Sequence, residues 1–479
     1  MQSRYYSSST EKPQDGKPGR PWLFMVLLAG IFFTTHPHHL DESVLFNYKA
    51  VAGDGSEEDR ADTNATAVAA GSPERRIGLS LLGLAAIATL VTFEGPKLRI
   101  NGTLGVLCVC FLALMLLSPL WSQVTFLAIR RVVAVGLLVL GAIAVARRFS
   151  VEDIMLLVVL ATGSFLAIGI LAEIYYGNFR PWVGGYRFGG TLHPNRQGMN
   201  CAMLALSSIA YATQVQRGKQ LLLATAGAAV CCLILTGSRT SLASACFGFL
   251  VFSLLWFPLA DTLRYVTIAA TFGALMLGIG AMVAGDRLDE EVSSVLLLGR
   301  ESDKSSAGSG SLTGRIPLWE ECAGQLAERP WLGFGYKSFW TPQRILKISH
   351  HQGWSIMQAH NGYLEMALNV GLIGAGLFIA IIVLSIKHAL ALFAETKSVG
   401  AAYAVAVLSW LVLNTLLESW IDEPLLPSFV SLTLIVSLAC LEQPLWQRND
   451  LKQIADGQER IPAKLTVSTP RLSRPSLVN

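Results

Sequence analysis

Long apolar runs recur along nearly the whole of this chain, and they leave it little choice of architecture. A helix needs about 20 mostly apolar residues to cross a bilayer, and within the hydrocarbon every peptide group has to be bonded inside its own segment. Twelve stretches answer to that pattern, at roughly 21–35, 77–93, 104–121, 129–146, 154–176, 197–213, 220–236, 240–259, 265–285, 363–386, 401–419 and 425–441, the first being the shortest. The expected fold class is therefore an all-α polytopic membrane protein of about 12 transmembrane helices. Composition agrees, because 15% of the 479 residues are charged, against about 25% in soluble domains.

A formal charge of +4 with no dense basic stripe argues against nucleic acid as a partner. The run from Pro21 to Phe33 is followed by no small-residue cleavage site, so it reads as a first membrane anchor rather than a signal peptide. Seven of the eight cysteines lie in apolar runs, and only Cys322 falls in a polar loop. Neither a disulfide framework nor a zinc cluster is expected.

Lysine and arginine set the orientation. They gather on the side that also holds both ends of the chain, so both termini are expected in the cytoplasm. The organisation is then a cytoplasmic N-terminal tail (1–20), a membrane-embedded domain (21–441) and a cytoplasmic C-terminal tail (442–479). The membrane domain carries a large periplasmic loop (286–362) between spans nine and ten. A second outer segment, 36–76, is acidic and rich in Gly, Ala and Ser, and is expected to be flexible. In the large loop, "RESDKSSAGSGSLTG" is loop-like, whereas "RIPLWEECAGQLAERPWLGFGYKSFW" predicts an amphipathic helix. Its stripe would be Ile316, Trp319, Ala323 and Leu326, with Pro317 tolerated in the first turn and Pro330 ending it, and the helix could lie on the bilayer surface.

Ion-coupled transporters usually carry an ionisable group near the membrane midplane. Here the spans are almost bare of charge, and the unusual polar groups sit at their outer ends. "FRPWVGGYRFGGTLHPNRQG" brings Arg180, Arg187, His193, Asn195 and Arg196; "LTGSRTSL" is centred on Arg239; "LTGRIPLW" supplies Arg315; and His360-Asn361 stands before the tenth span. Guanidinium is permanently charged and grips phosphate oxygens with a planar fork of donors. Several arginines at an outer surface point to a polyanion anchored in the bilayer, such as a diphosphate on a lipid. Any one of them alone reads better as a side chain snorkelling to headgroups or capping a helix, a reading that is weakest for Arg239 in its short turn between helices. Histidine suits proton removal from a sugar hydroxyl near neutral pH, and His360 reads equally as a helix-start residue fixed by local bonds. His350-His351 and His36, His38 and His39 have no carboxylate or cysteine at ligand spacing and read as solvated loops. "GSGSLTG" (308–314) and "GFGYKS" (333–338) lack the residues of a nucleotide loop. "NAT" (64–66) and "NGT" (101–103) fit the glycosylation sequon, which is common by chance.

Five ordered segments resemble the O-antigen ligase and Wzy-type polymerase superfamily of bacterial envelopes, exopolysaccharide-polymerisation members included. They are "SPLWSQ" followed by "RR" (118–131), "YRFGGTLHPNRQG", "GSRTSL", "TGRIPLWEECAGQLAERPWLGFGYKSFW" and "AHNGYLEMALNVGLIG". The resemblance implies a GT-C-like helical architecture in the bacterial inner membrane. It implies an inverting, metal-independent glycosyltransferase that moves saccharide from an undecaprenyl-diphosphate donor to an acceptor glycan in the periplasm. The acceptor would be lipid A–core or a growing polysaccharide, and other polysaccharide export proteins are possible partners. No cofactor is implied. Carried over by position, His360, Arg239 and Arg315 would be catalytic, His360 as base or acceptor-positioning group. Arg187, Arg180, Asn195 and Asn361 would bind substrate. Where many relatives place Glu before the "GLIG" glycine this chain has Asn369-Val370, so no helper carboxylate is assigned there. The alternative function is a lipid-linked saccharide flippase or polysaccharide transporter, which would want polar groups lining a midplane cavity.

Overall fold

The structure is a computed structural model, and it describes residues 21–35, 73–92, 96–183, 186–264, 266–267, 312–419 and 423–442. The N-terminal tail, residues 36–72 of the acidic segment, nearly all of the expected ninth span, the start of the large loop and the C-terminal tail lie outside the described residues. The regular elements among those described are helices, with no strand among them beyond a single bridge between Leu98 and Leu441.

In chain order the helices are α1 (Pro21–Thr35), α2 (Pro73–Thr92), α3 (Gly102–Leu117), α4 (Thr125–Arg148), α5 (Val151–Tyr175), α6 (Pro194–Ala212) and α7 (Lys219–Leu235). They continue with α8 (Arg239–Trp256), α9 (Leu312–Glu328), α10 (Pro342–Gln352), α11 (Gly362–Thr396), α12 (Val399–Leu417) and α13 (Leu426–Cys440). A helix stands at each expected span except the ninth. Seven helices among the described residues are long and apolar enough to cross a membrane. The ends shift where capping chemistry outranks hydropathy. Ser150 and Asp153 form a reciprocal capping box that starts α5 at Val151. Proline at the first helical position starts α2 at Pro73, so Glu74, Arg75 and Arg76 belong to a helix and not to the acidic loop.

The bundle is organised around α12, which is buried on nearly all sides. Its alanines and glycine let neighbours approach closely. Gly248 of α8 sits so near α12 that an added Cβ would come within 3.2 Å of the Trp410 Cβ. Tyr403, fully buried on α12, shares a 2.7 Å hydrogen bond with Ser207 of α6. At one end of the bundle α3 and α13 are tied, Arg99 and Asn101 donating backbone bonds of 3.0 and 2.8 Å to Cys440 and Ala439. The polar groups of interest lie at the opposite end.

Three expectations need correction. Span ten is not one continuous helix. Within α11, Val370 and Gly371 leave helical geometry, Gly371 at φ +72°. The turn after α9 fills the break: Leu372 donates to the Pro330 carbonyl at 2.8 Å, and Phe334 donates to the Leu368 carbonyl at 2.9 Å. The broken backbone is thereby satisfied from outside the helix.

The stripe on α9 is also rotated from the expected one. Ile316 and Ala323 face outward, whereas Arg315, Leu318 and Cys322 are buried, with Trp319 and Leu326 half-buried beside them. Cys322 therefore sits in a core and not in a polar loop.

That core is a second, smaller one. Leu318 and Cys322 join Phe334, Phe339, Trp340, Ile345 and Ile348, the last two from α10. His351 on α10 does have a carboxylate partner, Glu321 at 3.0 Å, although no spacing in the chain pointed to it. The "SPLWSQ" segment is the dock for this layer. Tyr336 N–H donates to Ser118 Oγ at 2.9 Å, and the Trp121 indole donates to the Leu332 carbonyl at 3.0 Å.

Candidate active site

The centre of the site is a residue outside all the motifs, Glu418. It follows the last residue of α12 and is 1% exposed. Its Oε1 accepts from Asn195 Nδ2 at 3.1 Å and lies 3.7 Å from Arg315 Nη2. Its Oε2 lies 3.9 Å from His360 Nδ1. Burial alone would raise its carboxyl; the nearby His360 and the charge of Arg315 outweigh burial, and the net direction is down. Glu418 is thus held as an anion.

Each partner is placed by a helix end. His193 caps α6 by accepting from Asn195 N–H at 3.2 Å, which turns Asn195 toward Glu418. Burial, with Arg187 and Arg196 adding to it, pushes the His193 imidazole down to about 3, so it stays neutral. Arg187 reaches the same asparagine, donating to Asn195 Oδ1 at 2.8 Å and to the Thr236 carbonyl at 2.9 Å. The loop carrying Arg187 is fixed from beneath by buried Glu173, which accepts from the amides of Gly189 and Gly190 and from the Tyr186 hydroxyl.

Arg315 is buried on α9 and donates to the Leu417 carbonyl at 2.6 Å. Its Nε is buried with no hydrogen-bond partner among the described residues. Burial pulls the Arg315 guanidinium down, Glu418 supports its charge and the nearby Arg239 opposes it. Arg239 itself is exposed at the first position of α8, behind the cap made by Ser238. The two guanidiniums are therefore neighbours in charge, one buried and one exposed.

His360 has φ +51°, a left-handed conformation that costs a non-glycine residue about 1–3 kcal/mol. The flanking peptides hold it there. Ala359 N–H donates to Glu365 at 2.9 Å, its carbonyl accepts from the Trp319 indole at 2.8 Å, and Asn361 N–H donates to Ser419 Oγ at 2.9 Å. The imidazole packs on the Trp354 ring with centroids 5.7 Å apart. Asn361 spends its side chain on capping α11, accepting from Tyr363 and Leu364 N–H at 3.0 Å each.

The structure thus brings Arg187, Asn195, Arg315 and His360 around one carboxylate, with Arg239 beside Arg315. Asn361 touches the group only through its backbone and Ser419. Arg180 is not gathered in: it is exposed and donates to the Gly177 carbonyl of its own turn at 2.9 Å. Glu418 was missed because a carboxylate at a span end ordinarily reads as solvated. The apolar "NTLLESW" around it was the one available signal.

Residues 224–379 match the family model described as O-Antigen ligase. This segment is similar to the O-antigen ligase family. It holds Arg239, Arg315, His360 and Asn361, while Arg187, Asn195 and Glu418 reach the matched segment from either side of it. No curated protein matches the chain.

Proposed function

We propose that the chain is a membrane glycosyltransferase that moves saccharide from an undecaprenyl-diphosphate-linked donor to an acceptor glycan at the end of the bundle where Glu418 lies. The acceptor is lipid A–core, as in O-antigen ligation, or a growing O-antigen or exopolysaccharide chain. In this reading the architecture is GT-C-like with about twelve spans, the site faces the periplasm, and both termini are in the cytoplasm of a bacterial inner-membrane protein.

The observation that carries the reading is the buried Glu418 joined to both His360 and Arg315. It links a group able to take a proton to a group able to receive a phosphate. His360 would accept the proton of the acceptor hydroxyl, and Glu418 would stabilise the imidazolium that forms. The acceptor oxygen bonds to the anomeric carbon from the face opposite the diphosphate. The bond from that carbon to the diphosphate oxygen breaks, and its electron pair leaves with the diphosphate. Arg239 and Arg315 meet the charge that develops there, Arg315 Nε being a donor already in place, and preorganised donors of this kind are worth about 2.7–4 kcal/mol each. No metal ion enters this scheme, and the inverted product follows from the single displacement.

The test is to incubate purified protein with lipid-linked repeat units, with and without a lipid A–core acceptor. A ladder of lengthening lipid-linked chains marks a polymerase, and one-step transfer to the core marks a ligase. Movement of labelled lipid across vesicles with no new glycosidic bond would replace this reading with a flippase.

A further inference from the structure

The separation of His360 and Glu418 is set by more than their own side chains. At 3.9 Å the pair is longer than a hydrogen bond, and Gln358 Nε2 stands 3.5 Å from the same Nδ1. Contacts this long do not fix a ring. His360 also holds a left-handed backbone at φ +51°, a state that persists only where the surrounding structure enforces it.

The backbone on both sides of the two residues supplies that enforcement as a closed frame. Ahead of them, α9 grips both chains. Arg315 donates to the Leu417 carbonyl at 2.6 Å, and the Trp319 indole, one turn on, donates to the Ala359 carbonyl at 2.8 Å. Leu417 precedes Glu418, and Ala359 precedes His360. Behind them the two chains are tied to each other, Asn361 N–H donating to Ser419 Oγ at 2.9 Å. The circuit runs through Leu417, Glu418 and Ser419, crosses to Asn361, His360 and Ala359, and returns through Trp319 and Arg315. Residues at i and i+4 of a helix share a face, so one rigid turn of α9 holds both carbonyls. Ala359 is fully buried and Ser419 is 2% exposed, so water has little access to either tie.

Each tie lies one residue from a side chain of the site. A lever that short passes any slack straight to the imidazole or the carboxylate. The attraction between an imidazolium and an anion falls as their separation grows, so a wider gap weakens the base as it takes its proton.

We propose that Ser419 and Trp319 are positioning residues, which act through their backbone partners to hold His360 at its working distance from Glu418. The inference rests on the proposed transfer reaction, in which that carboxylate supports the imidazolium.

The full-length protein in detergent is assayed with lipid-linked repeat units and acceptor, at a temperature where every variant is folded. S419A and W319F each delete one tie and leave His360, Glu418 and Arg315 in place. Each should lower kcat about tenfold or more, since a misplacement of about 1 Å can cost about 10²-fold, with donor and acceptor KM within about twofold. S419T keeps the hydroxyl and should recover most of the rate; an S419T as slow as S419A would count against the tie. The deciding measurement is made in the E418Q background. There S419A and W319F should lower the already reduced kcat by less than about twofold, because the distance they set no longer matters. A further loss as large as in the wild-type background would show a general packing effect and overturn the inference. A kcat within about twofold of wild type in either single variant would also overturn it, with the transfer reading left standing. Should S419A fail to fold, S419C, close in size with a weaker acceptor, takes its place under the same expectations. A wild-type protein that forms no glycosidic bond would overturn the transfer reading and this inference together.

Discussion

His360 Nδ1 and Glu418 Oε2 stand 3.9 Å apart, although the two residues are 58 positions apart in the chain and the whole of α11 and α12 separates them. The other carboxylate oxygen is held by Asn195 and faces Arg315, so the histidine meets an anion that cannot turn away. Replacing Glu418 by Gln keeps the shape and removes the charge. E418Q should lower the transfer rate by about 10²-fold or more, the range lost with a general acid–base partner. A rate within threefold of wild type, measured on lipid-linked donor, would remove Glu418 from the mechanism.

Arg239 and Arg315 should fail for different reasons. R239A removes an exposed cation, so product is lost while the melting temperature in detergent stays put. R315A also leaves Glu418 buried without its guanidinium, which costs about 3–5 kcal/mol for a broken buried pair. Paired activity and melting measurements on both variants check this. Equal melting losses would contradict the burial difference.

The left-handed backbone at His360 predicts opposed effects on activity and stability. H360G relieves the strain and should melt no lower than wild type, or somewhat higher, because about 1 kcal/mol or more is released. It should have no transfer activity. A stable but active H360G would show that the imidazole is not needed.

Gly371 at φ +72° presses on the Trp331 backbone, where an added Cβ would lie 2.0 Å from the carbonyl oxygen. G371A should therefore be strongly destabilised. Gly376, five residues on in the same helix, has nothing within 4 Å of its Cβ position, so G376A should be neutral or slightly stabilising. Thermal unfolding of the two variants side by side is the check.

The neutral His193 makes stability depend on pH. Its folded value of about 3 is below its unfolded value near 6.5, so the unfolded chain binds the extra proton first. Stability should fall as pH drops from 6.5 towards 3, by at most roughly 2 kcal/mol at pH 5. Glu418, also depressed, adds its own loss at more acid pH, as the carboxylate protonates below its unfolded value near 4.3. H193N keeps a capping acceptor and should flatten the first part of the curve. A wild-type curve flat between pH 7 and 5 would show that His193 is charged in the fold.

Much of this molecule was legible in the residues. Eleven helices fall where apolar length predicts them, because in a bilayer length and hydropathy are the dominant constraints. Arg187, Arg315 and His360 also stand out in the sequence, because charged groups at span ends contrast with apolar surroundings. The break at Val370–Gly371 was not legible. Its missing helix bonds are supplied by Pro330 and Phe334, and that compensation exists only in three dimensions. The same holds for the α9 stripe, which a second core rather than the bilayer surface determines, and for Glu418, whose partners come from three distant segments.

The order of these parts along the chain has a temporal meaning. A membrane protein emerges from the ribosome N-terminus first, and Glu418 and Glu423 both lie beyond α12, the helix at the centre of the bundle. Until they arrive, Glu423 is not there to pair with Arg196, nor Glu418 to face Arg315 and His360. A nascent or truncated chain can thus hold every arginine of the site and still be inert. Assembly of the last two helices is what completes the site.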